Sequence, residues 1–433
     1  TVDVQGREVT VNVEAIDDDG KFIQFSNIDG QIITPDVSTE GLELMQVGPG
    51  QYSGRFQAGG SGSYIVNLRY QKKKKKIHAE IAERIKSYFI GKYTKIRYKI
   101  WMFRKEANES KLNLQDLSRI CSEHVLPVTC PLALIAQIRG SGGSFLSHLF
   151  DGHPELHVHP HELMIGHPEE GIWPRIDLND GPKRWFEVLF EDIVSDYNKK
   201  GYKKEKEDRE TFPFVFISSL QREIFLNYID SVQSMTRRDV FNGYMTSYFG
   251  AWLNNQNYNG QKKFITACSP RLAMTKENMG SFFEVYPEGR LISLIRSPKD
   301  WFPSATKRWP DSYTDVGRAA SEWNESAQAM LWNKEKYGDC VCLIQFEDLI
   351  SKTETVMRFL AEFLTIEFDD ILLVPTFNKF PVKGDTTLKT GSHGIVSSLT
   401  AEERTLTGQE LNTIERMTSE TYALVLKEVV RFE

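Results

Sequence analysis

Three clusters of polar residues in this sequence have the types and spacing to do chemistry. The first is Arg139-Gly140-Ser141-Gly142-Gly143-Ser144. Glycines in such a turn let the backbone fold tightly and bring its N–H groups against an anion. The second is Arg296-Ser297-Pro298-Lys299-Asp300, with Ser304 eight positions after the arginine. A guanidinium fork and a hydroxyl at that spacing can converge on one phosphate. The alternative there is an arginine paired with a carboxylate. The third is a run of histidines, His153, His157, His159 and His161, four of the nine in the chain. Imidazoles suit proton transfer near neutral pH. If 157–161 is extended, His157, His159 and His161 share one face at period two, an arrangement that also fits zinc. No companion cysteine or carboxylate motif with ligand spacing accompanies them, so no metal is expected.

These clusters need elements to hold them. Leu132–Ile138 has the length and composition of a buried parallel strand. Phe145, Leu146, Leu149 and Phe150 mark one face of a helix whose N-terminus points at the anion. The glycine turn between them lacks the G-x-x-x-x-G-K-[ST] spacing of nucleotide triphosphatases. Leu291–Ile295 is a second strand, with Arg296 at its carboxyl end. Ser297 is placed as a helix N-cap, with Pro298 at the first helical position and Asp300 in the first turn. Further strands are expected at 214–218, 264–267 and 341–346, with helices between them. That alternation predicts an α/β fold, a parallel sheet with helices on both faces. A last helix is expected to open at Thr400-Ala-Glu-Glu403 and to carry an apolar stripe of Leu411, Ile414 and Met417.

The amino-terminal region differs. Residues 1–70 hold short alternating stretches, such as 9–13 and 64–70, between turns at 17–20, 48–50 and 59–62. This predicts a small antiparallel β-sandwich. Lys72–Lys76 reads as a solvated linker. From 77 to 105 the chain is basic and aromatic, which fits either a helix on an anionic membrane surface or one docked on the next domain. Residues 199–210 read as an exposed, mixed-charge insertion. The domain division expected is therefore 1–70, a basic linker and helical segment over 71–130, and the α/β domain over 131–433.

A net charge of −6 excludes a global field for nucleic acid, and no apolar run approaches transmembrane length. Five cysteines, odd in number and away from zinc-ligand spacing, favour a reducing compartment. The expected location is cytoplasmic, with or without contact at a membrane surface. The chain begins at Thr1 without methionine, which suggests a trimmed signal or leading domain.

A strand–glycine loop–helix followed by strand–Arg-x-Pro-x-Asp–helix resembles the sulfotransferase family over about residues 131–430. Phe346-Glu347-Asp348-Leu349 and the stretch 353–364 extend the likeness. FDGHPELHVHPHE at 150–162 resembles the branch of tyrosylprotein and many bacterial sulfotransferases. The Gly-x-Gly-x-Tyr-x-Gly run at 48–54 resembles immunoglobulin-like modules of large bacterial surface proteins.

The family resemblance implies transfer of a sulfuryl group from 3′-phosphoadenosine 5′-phosphosulfate to a hydroxyl or amine. The acceptor would be a small molecule, glycan, lipid or tyrosyl group. Ser141, Gly142, Gly143 and Ser144 match the turn that holds the 5′-phosphate; Arg296 and Ser304 match the pair on the 3′-phosphate. Lys383 or Lys389 would close the nucleotide site. His161, with Glu162 second, matches the region of the general base. His153 is expected to cap or pack near the helix end. Two departures stand out. Gly140 occupies the place of a cation, leaving Arg139 to reach in, and Arg271 follows Pro270 where some relatives have a cation before the proline. The rival readings are a degenerate binding module of the same fold and a P-loop kinase.

Overall fold

The computed structural model describes residues 2–5, 7–14, 28–33, 39–48, 50–59, 65–70, 124–165, 172–202, 212–382, 388–390, 396–399 and 406–432. They fall in two compact units, one holding residues 2–70 and the other 124–432. The expected segments 72–76, 77–105, 203–210 and 400–405 lie outside the described residues.

In the first unit, β1 (Val2–Gln5), β2 (Glu8–Glu14), β5 (Met45–Gly48) and β6 (Gln51–Gln57) form an antiparallel sheet in the order β1-β2-β6-β5. The second sheet is β3 (Ile28–Ile33), β4 (Thr39–Glu43) and β7 (Ile65–Tyr70), in the order β4-β3-β7. Val9 and Val11 of one sheet and Ile32 and Leu42 of the other share a small apolar core. Such a core comes from alternation, since every second side chain faces inward. This is the expected β-sandwich.

The second unit is built on five parallel strands, β8 (Leu132–Ile135), β9 (Leu156–Glu162), β10 (Phe264–Cys268), β11 (Arg290–Ile295) and β12 (Val341–Gln345). Their order is β12-β11-β8-β10-β9. β8 is central and apolar on both faces: Leu132 and Leu134 enter one core, Ala133 and Ile135 the other. Helices cover both faces as expected. Helix α1 (Gly143–Phe150) and α9 (Thr353–Phe363) pack on the second core. The first core takes α2 (Pro182–Leu189), α4 (Ser218–Ser231), α5 (Arg237–Ala251), α6 (Lys276–Val285), α7 (Pro298–Arg308), α8 (Val316–Tyr337) and α10 (Gly408–Glu428). Between α2 and α4 lies α3 (Ile193–Lys200).

Three expectations need correction. Residues 214–218 are no strand of this sheet: Phe214 and Phe216 alternate inward, but Phe216 makes only an isolated bridge to Trp252. The missing strand is β9, in the histidine run. Pro160 lacks an N–H and would interrupt a central strand, but β9 is at the edge, where that is tolerated. The last helix is capped at Thr407 with Glu410 rather than at Thr400, and of the expected stripe Ile414 is buried while Leu411 and Met417 are half-buried. Among the described residues, no helix is long and apolar enough to cross a membrane.

Candidate active site

The glycine loop leaves the carboxyl end of β8. Gly140 has φ 82° and Gly142 has φ 93°, a left-handed backbone that L side chains resist. Gly142 is the N-cap of α1, so the first-turn N–H groups that follow it have no partner within the helix. A Cβ on Gly142 would collide with the Phe346 ring, and one on Gly143 with Gln137. The loop is thus packed closely on Phe346 and Gln137. The Ser141 hydroxyl and Gln137 Oε1 are buried without a hydrogen-bond partner. Buried polar atoms are seldom left so, and both belong to the glycine loop and the end of the strand that feeds it. Ser144 is half-buried at the start of α1.

Arg296 ends β11 and is almost wholly buried; its Nη1 donates to the Gly140 carbonyl at 3.2 Å, and its guanidinium lies 5.1 Å from the Phe346 ring centroid. The two anion-binding elements read from the sequence therefore meet. Ser297 begins α7, but its side chain makes no cap; its N–H donates to Glu347 Oε1 at 3.0 Å instead. Burial lifts the Glu347 carboxyl above its usual range, opposed by the Ser297 hydrogen bond. Ser304 lies half-buried on α7. Lys389 lies on Leu388–Thr390, paired with Val396–Leu399, with its side chain outside the described part, as is all of Lys383.

The structure also explains the cation's absence at Gly140. Besides its positive φ, a Cβ there would stand 3.3 Å from Trp309 and 3.4 Å from Trp301. Trp301 Nε1 donates to the Arg139 carbonyl at 2.6 Å. Arg139 and Arg271 come to one neighbourhood: both charges act on Tyr313, whose hydroxyl donates to Glu322 at 2.9 Å. Burial and then Glu322 hold that phenol above its usual range, against the two arginines. Arg271 has φ 67°, and its N–H donates to the Gln137 carbonyl at 2.8 Å. The arginine after the proline is thus tied to the root of the glycine loop.

At the end of β9 the histidines separate in role. His153 closes the turn after α1, with Nε2 2.8 Å from the Glu367 carbonyl. His157 stacks on Phe249 at 4.5 Å, and burial pushes it down to about 3. His159 and His161 flank Glu191, an acid between α2 and α3 that sequence spacing does not single out. His161 Nδ1 faces the Glu162 carbonyl at 2.7 Å and so carries its proton there; Nε2 accepts from the Tyr248 hydroxyl at 2.7 Å. Burial drives His161 down to about 4, which agrees with this neutral tautomer. His159, His161 and Glu191 are close enough to hold a metal ion. Their ring nitrogens already have partners: His159 Nδ1 faces the His161 carbonyl at 2.9 Å and Nε2 faces Glu191 at 3.1 Å.

Glu162, one residue on, is exposed. It stands in register with Cys268 of β10. Burial and then the Glu162 charge hold the Cys268 thiol far above its usual range, and that sulfur lies 3.0 Å from where a Gly143 Cβ would be. An exposed carboxylate is therefore one side chain away from the glycine loop.

A sequence profile described as "Sulfotransferase family" matches residues 140–370, more than half of the chain. No curated protein matches the sequence. Among solved structures, the chain is similar to a sulfotransferase domain from the curacin biosynthetic pathway at 17% identity, covering 71% of this chain and 100% of that one, TM-score 0.38. It is similar to the sulfotransferase domain of the Synechococcus PCC 7002 olefin synthase at 16% identity, covering 71% and 98%, TM-score 0.35. A sulfotransferase from Alicyclobacillus acidocaldarius aligns at 13% identity over 71% and 98%, TM-score 0.36. On the family match, with the parallel sheet it implies, the chain belongs to the sulfotransferase family.

Proposed function

We propose that residues 131–433 form a sulfotransferase domain that moves a sulfuryl group from 3′-phosphoadenosine 5′-phosphosulfate to an acceptor hydroxyl or amine. The observation carrying this is the bond between Arg296 and the Gly140 carbonyl, which unites two anion-binding elements at the carboxyl edge of one sheet. A nucleotide with phosphates at both 5′ and 3′ positions suits such a pair. It supplies an activated sulfuryl group on a phosphate leaving group.

The residues divide the work. The N–H groups at Gly142, Gly143 and Ser144, with the Ser141 and Ser144 hydroxyls, hold the 5′-phosphate. Arg296 and Ser304 hold the 3′-phosphate, and Lys389 stands on the ribbon that would close over it. Arg139, with Arg271 beside it, supplies the positive charge that Gly140 cannot, steadying the oxygen that leaves. Glu162 takes the proton from the acceptor as its oxygen or nitrogen bonds to sulfur and the sulfur–phosphate oxygen bond breaks. Sequence spacing favours His161 for that base. Its buried lone pair, occupied by Tyr248, supports Glu162 instead, with His161 behind it. The acceptor is a small molecule, glycan, lipid or tyrosyl group. Residues 1–70 are a separate β module, joined through 71–130.

The Gly140 backbone favours a second reading, a nucleotide-binding module that has lost transfer. Calorimetry with adenosine 3′,5′-bisphosphate and a labelled-sulfate transfer assay decide between them. Tight binding with transfer to an acceptor pool, both reduced in Arg296→Ala, is the expected outcome. Binding without transfer favours the second reading, and the absence of binding defeats both.

A further inference from the structure

Between Val158 and Glu162, β9 takes four steps while β10 takes two, from Thr266 to Cys268. The ladder is broken there by a bulge at His159-Pro160-His161. Bulges beside active sites re-aim a side chain, and they need something to hold them. Here the holding group is buried. Glu191 accepts from the Met164 N–H at 2.7 Å, from the Tyr244 hydroxyl at 3.0 Å, and pairs with His159 Nε2 at 3.1 Å. Oε2, the oxygen that takes the Met164 bond, lies 3.8 Å from His161 Nδ1. His159 in turn reaches across the bulge to the His161 carbonyl at 2.9 Å. Both partners of His159 are acceptors, a backbone carbonyl and a carboxylate. Beyond the bulge, the Leu163 N–H donates to the Cys268 carbonyl at 2.7 Å and the Ser269 hydroxyl to the Leu163 carbonyl at 3.2 Å. Apart from the Tyr244 bond, this set falls on His159, His161, Leu163 and Met164, either side of Glu162, whose side chain stays exposed.

We propose that Glu191 is a positioning residue: through His159 and the Met164 amide it clamps the bulge that turns the Glu162 carboxylate toward the glycine loop. The proposal rests on the reading of Glu162 as the base. It takes Glu191 out of direct chemistry, since that carboxylate is fully enclosed and its acceptor sites are used within the fold. It also gives the histidine run a purpose other than proton transfer or metal binding. The two rings supply the donors and the small loop of backbone that a straight edge strand would lack.

The test uses the full chain with Glu191→Ala, Glu191→Gln, Glu162→Gln and the double variant Glu191→Ala/Glu162→Gln. Hydrogen exchange is read at the Leu163 and Met164 amides. Turnover is read as hydrolysis of 3′-phosphoadenosine 5′-phosphosulfate, with water as acceptor, alongside affinity for adenosine 3′,5′-bisphosphate. The expected results are at least tenfold faster exchange at those two amides in Glu191→Ala, unchanged bisphosphate affinity, and at least tenfold slower hydrolysis. The double variant should fall no further than Glu162→Gln alone, the signature of one residue acting through another. Glu191→Gln, which keeps an acceptor for Met164, should recover part of the rate. Unchanged exchange overturns the proposal whatever the chemistry, as do additive losses or a fall in bisphosphate affinity to match the rate. Normal exchange effects with no hydrolysis in any form, the unsubstituted chain included, overturn the catalytic reading and leave Glu191 a structural clamp only.

Discussion

The glycine loop and the bulged end of β9 lie at the carboxyl edge of the same sheet, and they treat their polar groups in opposite ways. The loop keeps donors unspent: α1 starts from a left-handed glycine, and the Ser141 hydroxyl has no partner. The strand end spends nearly everything internally, with Glu191, Tyr244, Tyr248 and both rings tied to one another. Unsatisfied polar groups point to a ligand, and satisfied ones to architecture. By that criterion the histidines, which look like the chemical centre in the sequence, are scaffolding. Glu162 beside them is exposed, and it is the residue to which the proposed mechanism gives the acceptor's proton.

The contrast can be broken experimentally, beginning where the effect is largest. Glu191→Ala leaves the Met164 amide, the Tyr244 hydroxyl and the His159 ring without their buried acceptor, so a loss of about 3–5 kcal/mol of stability is expected in denaturant titrations. Bisphosphate affinity should not move. Gly142→Ala should do the reverse: strain at a left-handed position costs about 1–3 kcal/mol, and the collision with Phe346 deforms the cradle. Calorimetry should record about 100-fold weaker bisphosphate binding, against only a modest fall in stability. Arg296→Ala removes charge-assisted bonds worth about 1.5–3 kcal/mol, so binding should weaken about 10- to 100-fold.

Acid offers a subtler test. His157 and His161 sit at about 3 and 4 in the fold against an ordinary 6.5. Between those values the unfolded chain binds protons that the fold refuses. Stability is therefore full above pH 6.5 and declines as pH falls toward 4, measured as denaturant midpoints. His161→Gln should flatten part of that slope. The smallest effect on stability belongs to Glu162→Gln, within about 0.5 kcal/mol because the side chain is exposed. Its transfer rate should nevertheless fall about 100-fold or more. A stability loss as large as that of Glu191→Ala would place Glu162 in the scaffold and erase the distinction.

How much of this the sequence discloses depends on whether a feature is local. Leu132–Ile135 and Leu291–Ile295 are legible because central parallel strands are apolar on both faces. The glycine turn is legible because positive φ selects glycine. β9 is obscured because histidines alternate with its apolar Leu156 and Val158 and Pro160 interrupts it; only an edge accepts that, and edges are set by tertiary order. Phe214 and Phe216 mislead in the other direction, since they alternate like a strand but bury themselves without a ladder. Glu191 is invisible to spacing, lying 30 residues from His161 in a short connection. Ser297 stands at the N-cap as its spacing indicates but makes no side-chain cap, and its N–H goes to Glu347 from a distant segment.

The indoles around Gly140 have a consequence of another kind. Trp301 is bonded to the loop's own backbone and Trp309 edges the same glycine, so two of the chain's eight tryptophans touch the loop directly. Anything that settles in the cradle must shift the electric field at those rings. Adenosine 3′,5′-bisphosphate bound at the proposed site should therefore change tryptophan emission intensity and wavelength in unlabelled samples. Trp301→Phe and Trp309→Phe, taken one at a time, would assign the signal to its ring.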